Sequence, residues 1–325
     1  MSRLRHGGLL TRFLASPPPD AAVEIAADRV SAATIAARGD GFTVSSYAVE
    51  ALPAGAVAPA LTGQNLTDAQ AVAGAVRTVL GRLETRVERV ALVVPDVAAK
   101  VSLVHFDTVP ARRDDLDQLV RWQVRKAAPF PIEEACVTYS QGARAAGGGD
   151  FVVAVARRDV VQEYENACAR AGAYAGLVDI STFSVLNLFL AGDRAPAGDW
   201  LAVHVRPAYT SIAIMRGGDM IFFRNREGDE EPLADLVHQT SMYYQDRLSG
   251  QGFTRVFIGG SGRTAGAVDA ARRELEERLQ MSAEPIDASA GINVADRISV
   301  GPDLMDVLAP LTGMLLRAHQ EPVHA

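Results

Sequence analysis

One order of elements can be read twice along this chain. Ala21 to Ala36 reads as a strand, a tight turn at Ala27-Asp28 and a second strand; Phe42 to Val49 alternates as a third strand. A helix capped by Asp68 follows, running to about Leu83. After the Pro/Gly/Asp-rich segment Arg194 to Asp199, the order returns. Trp200 to Val205 is a strand, Pro207-Ala208 a turn, Tyr209 to Met215 a strand, Gly217-Gly218-Asp219 a hairpin turn, and Met220 to Asn225 a third strand before a helix from Pro232 to Leu248. A short all-apolar run then enters each half: Val90 to Val94, and Val256 to Gly262 with its glycine loop. Strands alternating with helices, laid out twice, imply a duplicated α/β architecture with a cleft between its halves.

The first half is longer because of what lies inside it. Val101 to Val109 alternates as a strand, Cys136 to Gln141 and Phe151 to Ala156 read as a hairpin, and a helix runs from about Asp159 to Ala171. Gly176 to Ile180 reads as a strand whose end meets Ser181, an expected N-cap for a helix from Phe183 to Leu190. Further helices are expected at Ala265 to Leu279 and from about Asp306 to Arg317. The division that follows is a tail over 1–20, a first domain over 21–193 with an insert at about 97–171, and a second domain over 194–325.

Composition removes several function classes. A net charge of −7 and a pI near 5.4 argue against a nucleic-acid partner, and no such motif is present. Cys136 and Cys168 lie far apart with no metal-ligand spacing, which fits a reducing compartment. No apolar run reaches the roughly 18 to 20 residues that span a bilayer. Arg3, Arg5 and Arg12 alternate with apolar residues over Met1 to Ala15, a segment expected to be either a disordered tail or a contact with an anionic membrane surface. His105, His204, His238 and His319 have no ligand spacing, Ser261 has no evident base, and Ala26-Ala27 stands where a dinucleotide fingerprint needs glycine.

Asp114 to Glu134, DDLDQLVRWQVRKAAPFPIEE, is the most shaped stretch. Leu116, Leu119, Val120 and Val124 share one helical face, acids open the helix and bases close it. Pro129 and Pro131 require a stop near Ala128 and hold Phe130 on a stiff elbow.

On these residues the chain resembles the PilM-like proteins of type IV pilus assembly, which are related to FtsA within the actin-like ATPase superfamily. The resemblance rests on Arg121-Trp122, Lys126, Pro129-Phe130-Pro131 and Glu133-Glu134, preceded by an apolar strand ending in Pro95-Asp96. Val178-Asp179-Ile180 looks like the family's entry to its connecting helix, and Ile258-Gly259-Gly260-Ser261-Gly262 like its adenosine loop. It covers about residues 21 to 318. It implies an actin-like, duplicated ribonuclease-H-like fold with the insert as subdomain 1C. The implied location is cytoplasmic, at the inner face of the inner membrane. The implied partner is the N-terminal cytoplasmic peptide of a PilN-type membrane protein, lying extended between subdomains 1A and 1C. Arg121, Trp122 and Phe130 are the expected contacts, or the struts behind them. Other platform proteins and self-assembly are further implied contacts.

The resemblance also implies an ATP/Mg²⁺ site, and here the sequence departs from its family. The superfamily's first phosphate turn, D-x-G-x-x-x-x-K, aligns with Glu24, Ala26 and Arg29 to Ser31; its second, D-x-G, aligns with His204, Arg206 and Pro207. One glycine becomes alanine, one carboxylate and one glycine are lost, and Pro207 has no amide to give a phosphate. The small helical lid 2B is expected to be absent, because Phe223 to Arg226 leads almost directly into the helix at Pro232. Residual nucleotide contacts would fall to Glu24, Asp28, Gly259, Gly260 and Gly262. The expectation is therefore a scaffold with little or no ATPase activity, against the alternative of a nucleotide-dependent switch. No catalytic residue and no metal ligand is assigned.

Overall fold

The structure, a computed structural model, describes residues 18–39, 41–144, 148–191, 195–228, 233–261, 266–286, 288, 292–294 and 301–320. The basic tail over 1–15 and Gly262 lie outside them.

The first sheet begins with β1 (Ala21–Ile25), β2 (Arg29–Arg38) and β3 (Gly41–Ala51), an antiparallel meander with a bulge after Thr34. Helix α1 (Ala69–Arg82) follows, and the Asp68 carboxylate accepts from the Ala71 amide at 2.9 Å as its cap. β4 (Arg89–Val94) then pairs parallel with β1. Its residues from Val90 onward are buried, as its unbroken apolar run requires of a central parallel strand.

The insert forms its own small layer. Strands β5 (Ala99–Phe106), β6 (Ala135–Arg144) and β7 (Gly149–Arg157) make an antiparallel sheet in the order β5-β7-β6. Helix α2 (Arg113–Val124) lies on it and ends earlier than Ala128, although the Ala127 and Ala128 amides still bond the Val124 carbonyl. Val120, Val124, Phe130, Phe106 and Phe151 share one core with the sheet. The proline elbow thus turns Phe130 inward to close that core. Helix α3 (Arg158–Arg170) leads out to β8 (Tyr174–Ile180), which pairs parallel with β4.

Helix α4 (Ser181–Leu190) crosses to the second half. There β9 (Asp199–Arg206), β10 (Tyr209–Arg216), β11 (Asp219–Glu227), β12 (Arg255–Gly260) and β13 (Ala283–Pro285) form a sheet ordered β11-β10-β9-β12-β13. β9, β10 and β11 are an antiparallel meander, and β12 and β13 join in parallel. The first sheet has the same plan in β3-β2-β1-β4-β8, so the repeat read from the sequence is real at the level of strand order and direction. Helices α5 (Leu233–Arg247) and α6 (Ala267–Leu279) pack on the second sheet. Residues 228 to 232 alone join β11 to α5, too short a connection to hold a lid subdomain.

Helix α7 (Pro302–Gln320) begins four residues earlier than the expected Asp306 and runs through Pro310. The two-residue strand β14 (Asn293–Val294), unexpected from the sequence, brings the chain back to the edge of the first sheet beside β3. α7 then packs on α4. Gly313 is required there, since a Cβ would sit 1.9 Å from the Ser184 carbonyl oxygen. Together α4 and α7 form the middle layer, with Leu188, Leu308, Leu311 and Leu315 joining Ala91 and Val93 of the first sheet to Trp200 and Phe257 of the second.

Candidate functional site

The two hairpin turns, β1–β2 and β9–β10, face each other across the cleft, and what lies between them is the chain's own charge. Glu24 is held by Arg206 of the opposite turn: Nη2 donates to Oε1 at 2.6 Å, and both side chains are only 2% exposed. Ser181 donates to the same oxygen at 3.0 Å, and Ser31 to Oε2 at 3.4 Å. Ser181 was expected as a helix N-cap; it is instead the first residue of α4, makes no cap bond, and spends its hydroxyl on Glu24. Arg29 lies 3.9 Å from Glu24 and donates to Asp28 at 3.2 Å and to the Ser261 hydroxyl at 3.2 Å. The Gly260 amide meets the Asp306 carboxylate at the start of α7. Burial pushes that carboxyl up, while Arg206 and Arg29 pull it down.

A second buried network lies alongside. Asp96, wholly buried, accepts from the Thr182 amide at 2.9 Å, from Ser211 at 2.5 Å and from the Thr182 hydroxyl. With its one proton given to Asp96, that hydroxyl must accept from His204 Nδ1 at 2.9 Å, which fixes the Nδ1–H tautomer. Asn225 donates to the Asp96 carbonyl at 3.1 Å. Burial raises the Asp96 carboxyl above the usual range despite its three donors. Burial, with Arg206 and Arg29 nearby, holds the His204 imidazole well below its usual value and therefore neutral. The two networks tie the first half, through Glu24, Arg29 and Asp96, to the second, through Arg206, His204, Ser211 and Ser261.

These residues do not fit a magnesium nucleotide. The cavity between Glu24, Ala26, Pro95, Arg206, Pro207 and Tyr209 is about 10 Å³, room for one water. The carboxylate that would face a metal is engaged by a guanidinium. Among the described residues no group of three or more His, Cys, Asp or Glu could hold a metal ion. Gly259 and Gly260 have packing reasons of their own. A Cβ on Gly259 would come 2.5 Å from Ile286 Cβ; one on Gly260, at φ 113°, would come 1.9 Å from the Val205 carbonyl oxygen. Asp28 is paired with Arg29 at 3.2 Å and is about half exposed.

The remaining expected residues lie apart from this cleft. Arg121 and Trp122 are exposed on α2, and Phe130 is buried beneath it. The sequence reading missed Arg206 as a cleft-filling group, treating it only as a lost glycine, and it missed Thr182, Ser211 and Asn225. The available signal was a charge pair: an acid in one turn and an arginine at the mirrored turn of a duplicated fold.

A separate groove of about 200 Å³ opens between the small sheet, α4, the β10–β11 turn and α7, lined by Gln141, Gly142, Phe183, Asn187, Leu190 and Met220 among others. Asn187 Nδ2 is buried there with no hydrogen-bond partner among the described residues.

Two sheets of identical plan around a shared helical layer, with paired hairpin turns at the cleft, define an actin-like fold. A family model described as type IV pilus assembly protein PilM matches residues 22–243, and the chain belongs to that family. Among solved structures it is similar to a PilM-PilN type IV pilus biogenesis complex. The TM-score is 0.76 and the identity 18%, covering 93% of this chain and 99% of that one. Weaker likenesses include the ethanolamine utilization protein EutJ from Carboxydothermus hydrogenoformans (TM-score 0.48, 10% identity, 94% and 93% covered). Another is the cytoplasmic domain of EpsL, an inner-membrane component of the Vibrio cholerae type II secretion system (TM-score 0.45, 8% identity, 92% and 94% covered). Among the described residues no helix is long and apolar enough to cross a membrane.

Proposed function

We propose that this protein is a non-catalytic scaffold of a type IV pilus inner-membrane platform, one that binds the N-terminal cytoplasmic peptide of a PilN-type membrane protein. The observation that carries the reading is a contrast. The nucleotide cleft is stoppered by the Glu24–Arg206 pair, while the groove beside the inserted sheet is open and lined by Gln141 and Asn187 beside apolar Phe183, Leu190 and Met220. An extended peptide needs backbone partners and alternate side-chain pockets. Gln141 and Asn187 supply polar side chains along the groove, and Phe183, Leu190 and Met220 supply apolar contact. In this reading the fold keeps its two halves fixed by internal charge, so the groove is presented without nucleotide. The unit over 97–171 acts as subdomain 1C and provides one wall.

Calorimetric titration tests it with two ligands. The expected result is heat of binding from the first residues of the PilN-type partner, weakened by Asn187→Leu, and none from ATP with Mg²⁺. Micromolar ATP affinity would overturn the nucleotide-free reading; absence of peptide binding would overturn the partner. Gly260 cannot serve as the nucleotide probe, because its replacement strikes the β9 backbone.

A further inference from the structure

The outer face of α2 carries a feature the scaffold reading does not use. Trp122 is 69% exposed, although it is among the largest apolar side chains of the protein. Arg121, Arg125 and Lys126 are exposed beside it, and none has a carboxylate partner among the described residues. Arg112, at the other end of the same helix, is by contrast within 4.0 Å of both Asp114 and Asp115. The helix C-terminus accounts for some of the positive charge, since cations suit its dipole. It does not account for an indole left in water. Val120 and Val124 hold α2 to the small sheet from the other side, so the Trp122 face points away from that core.

We infer that this face rests on an anionic phospholipid surface. An indole with its ring exposed beside cations is the combination that settles at a membrane–water boundary. The outer face of a helix is convex, and neither cavity described above is lined by Trp122. A peptide would need such a groove; a lipid surface does not. The chain as a whole carries −7, so adsorption to anionic lipid must be local to a patch of this kind. Three cations at such a surface raise partitioning by roughly a hundredfold, and the effect falls within a Debye length. The inference stands apart from the peptide groove: either can fail while the other holds.

Tryptophan emission of the full chain provides the test. Trp200, the second tryptophan, is fully buried and bonded to the Gly217 carbonyl at 2.9 Å, so a spectral change on binding belongs to Trp122. Vesicles of phosphatidylcholine with one-third phosphatidylglycerol are expected to shift emission to the blue and to co-sediment the protein; pure phosphatidylcholine is expected to do neither. The combined variant Arg121→Glu/Arg125→Glu/Lys126→Glu should lose at least about tenfold in lipid affinity, and so should raising salt to about 0.5 M. Trp122→Phe should remove the spectral shift while leaving much of the sedimentation. Binding that survives the triple reversal would overturn the assignment, as would absence of any blue shift. So would an acidic polyglutamate peptide that shifts emission at lower concentration than lipid, since it would mark the face as a protein-docking surface.

Discussion

Removing one member of the Glu24–Arg206 pair should destabilise the protein by an amount that depends on which member goes. The contact is 2.6 Å between side chains that are each 2% exposed, so neither charge can recover water when its partner is lost. Breaking a buried pair in this way costs about 3–5 kcal/mol. After Arg206→Met, Glu24 still has the Ser181 and Ser31 hydroxyls and Arg29 at 3.9 Å, placing the cost near about 3 kcal/mol. After Glu24→Gln, two buried guanidiniums face each other without the acid between them. Among the described residues Arg206 Nη1 and Arg29 Nε and Nη2 already lack hydrogen-bond partners, so this cost is about 5 kcal/mol. The double variant removes both charges and should be less damaging than the sum by about 2 kcal/mol. Urea unfolding followed by Trp200 fluorescence reads all three, because Trp200 sits in the layer that joins the two halves. An Arg206→Met protein within about 1 kcal/mol of the parent would refute the idea that this pair holds the cleft, as would strict additivity in the double variant.

Three other outcomes follow from the same geometry. His204 stays neutral when folded, whereas the unfolded imidazole titrates near 6.5. As pH falls below 6.5 the unfolded chain therefore takes up a proton that the folded chain refuses. Stability should drop toward acid by up to about 1.4 kcal/mol per pH unit from this group, and urea midpoints measured between pH 7 and 5 should show that slope flattened in His204→Asn. Gly260→Ala should cost more than about 3 kcal/mol by denaturant midpoint because its Cβ meets a backbone oxygen. Gly217→Ala, also at positive φ but in open space, should cost about 1 kcal/mol. Phe130→Ala should lose about 3 kcal/mol in thermal or urea unfolding, while Trp122→Ala stays within about 0.5 kcal/mol. Equal effects at those last two positions would contradict the assignment of one as strut and the other as surface.

Strand and helix identities were largely legible because they depend on local chemistry. The Gly217-Gly218-Asp219 turn, the Asp68 cap and the buried run from Val90 to Val94 each dictate their element from a few neighbouring residues. Boundaries moved where tertiary contacts intervened. Ser181 has the chemistry of a cap, yet a buried carboxylate competes for its hydroxyl and wins, because an unsatisfied charge costs more than an uncapped amide. α7 starts one turn before Asp306, whose carboxylate meets the Gly260 amide across the cleft. β14 was invisible, since two residues have no period to read.

By itself the sequence determined the duplicated order of elements, the family, and the loss of glycines and an acid from the phosphate turns. Those are facts about residue types at fixed local spacing. It could not say what replaced the missing groups. Glu24 and Arg206 are 182 positions apart, and only the facing of two hairpins across the cleft puts them 2.6 Å from each other. The same is true of Phe130 and Trp122, neighbours in one conspicuous motif. Trp122 points outward because α2 gives the small sheet its Val120–Val124 face, while the proline elbow beyond the helix turns Phe130 into that same core, a choice made by packing. Local pattern set which pieces form; burial across long sequence separations decided that the cleft is filled from within and which aromatic is left facing out.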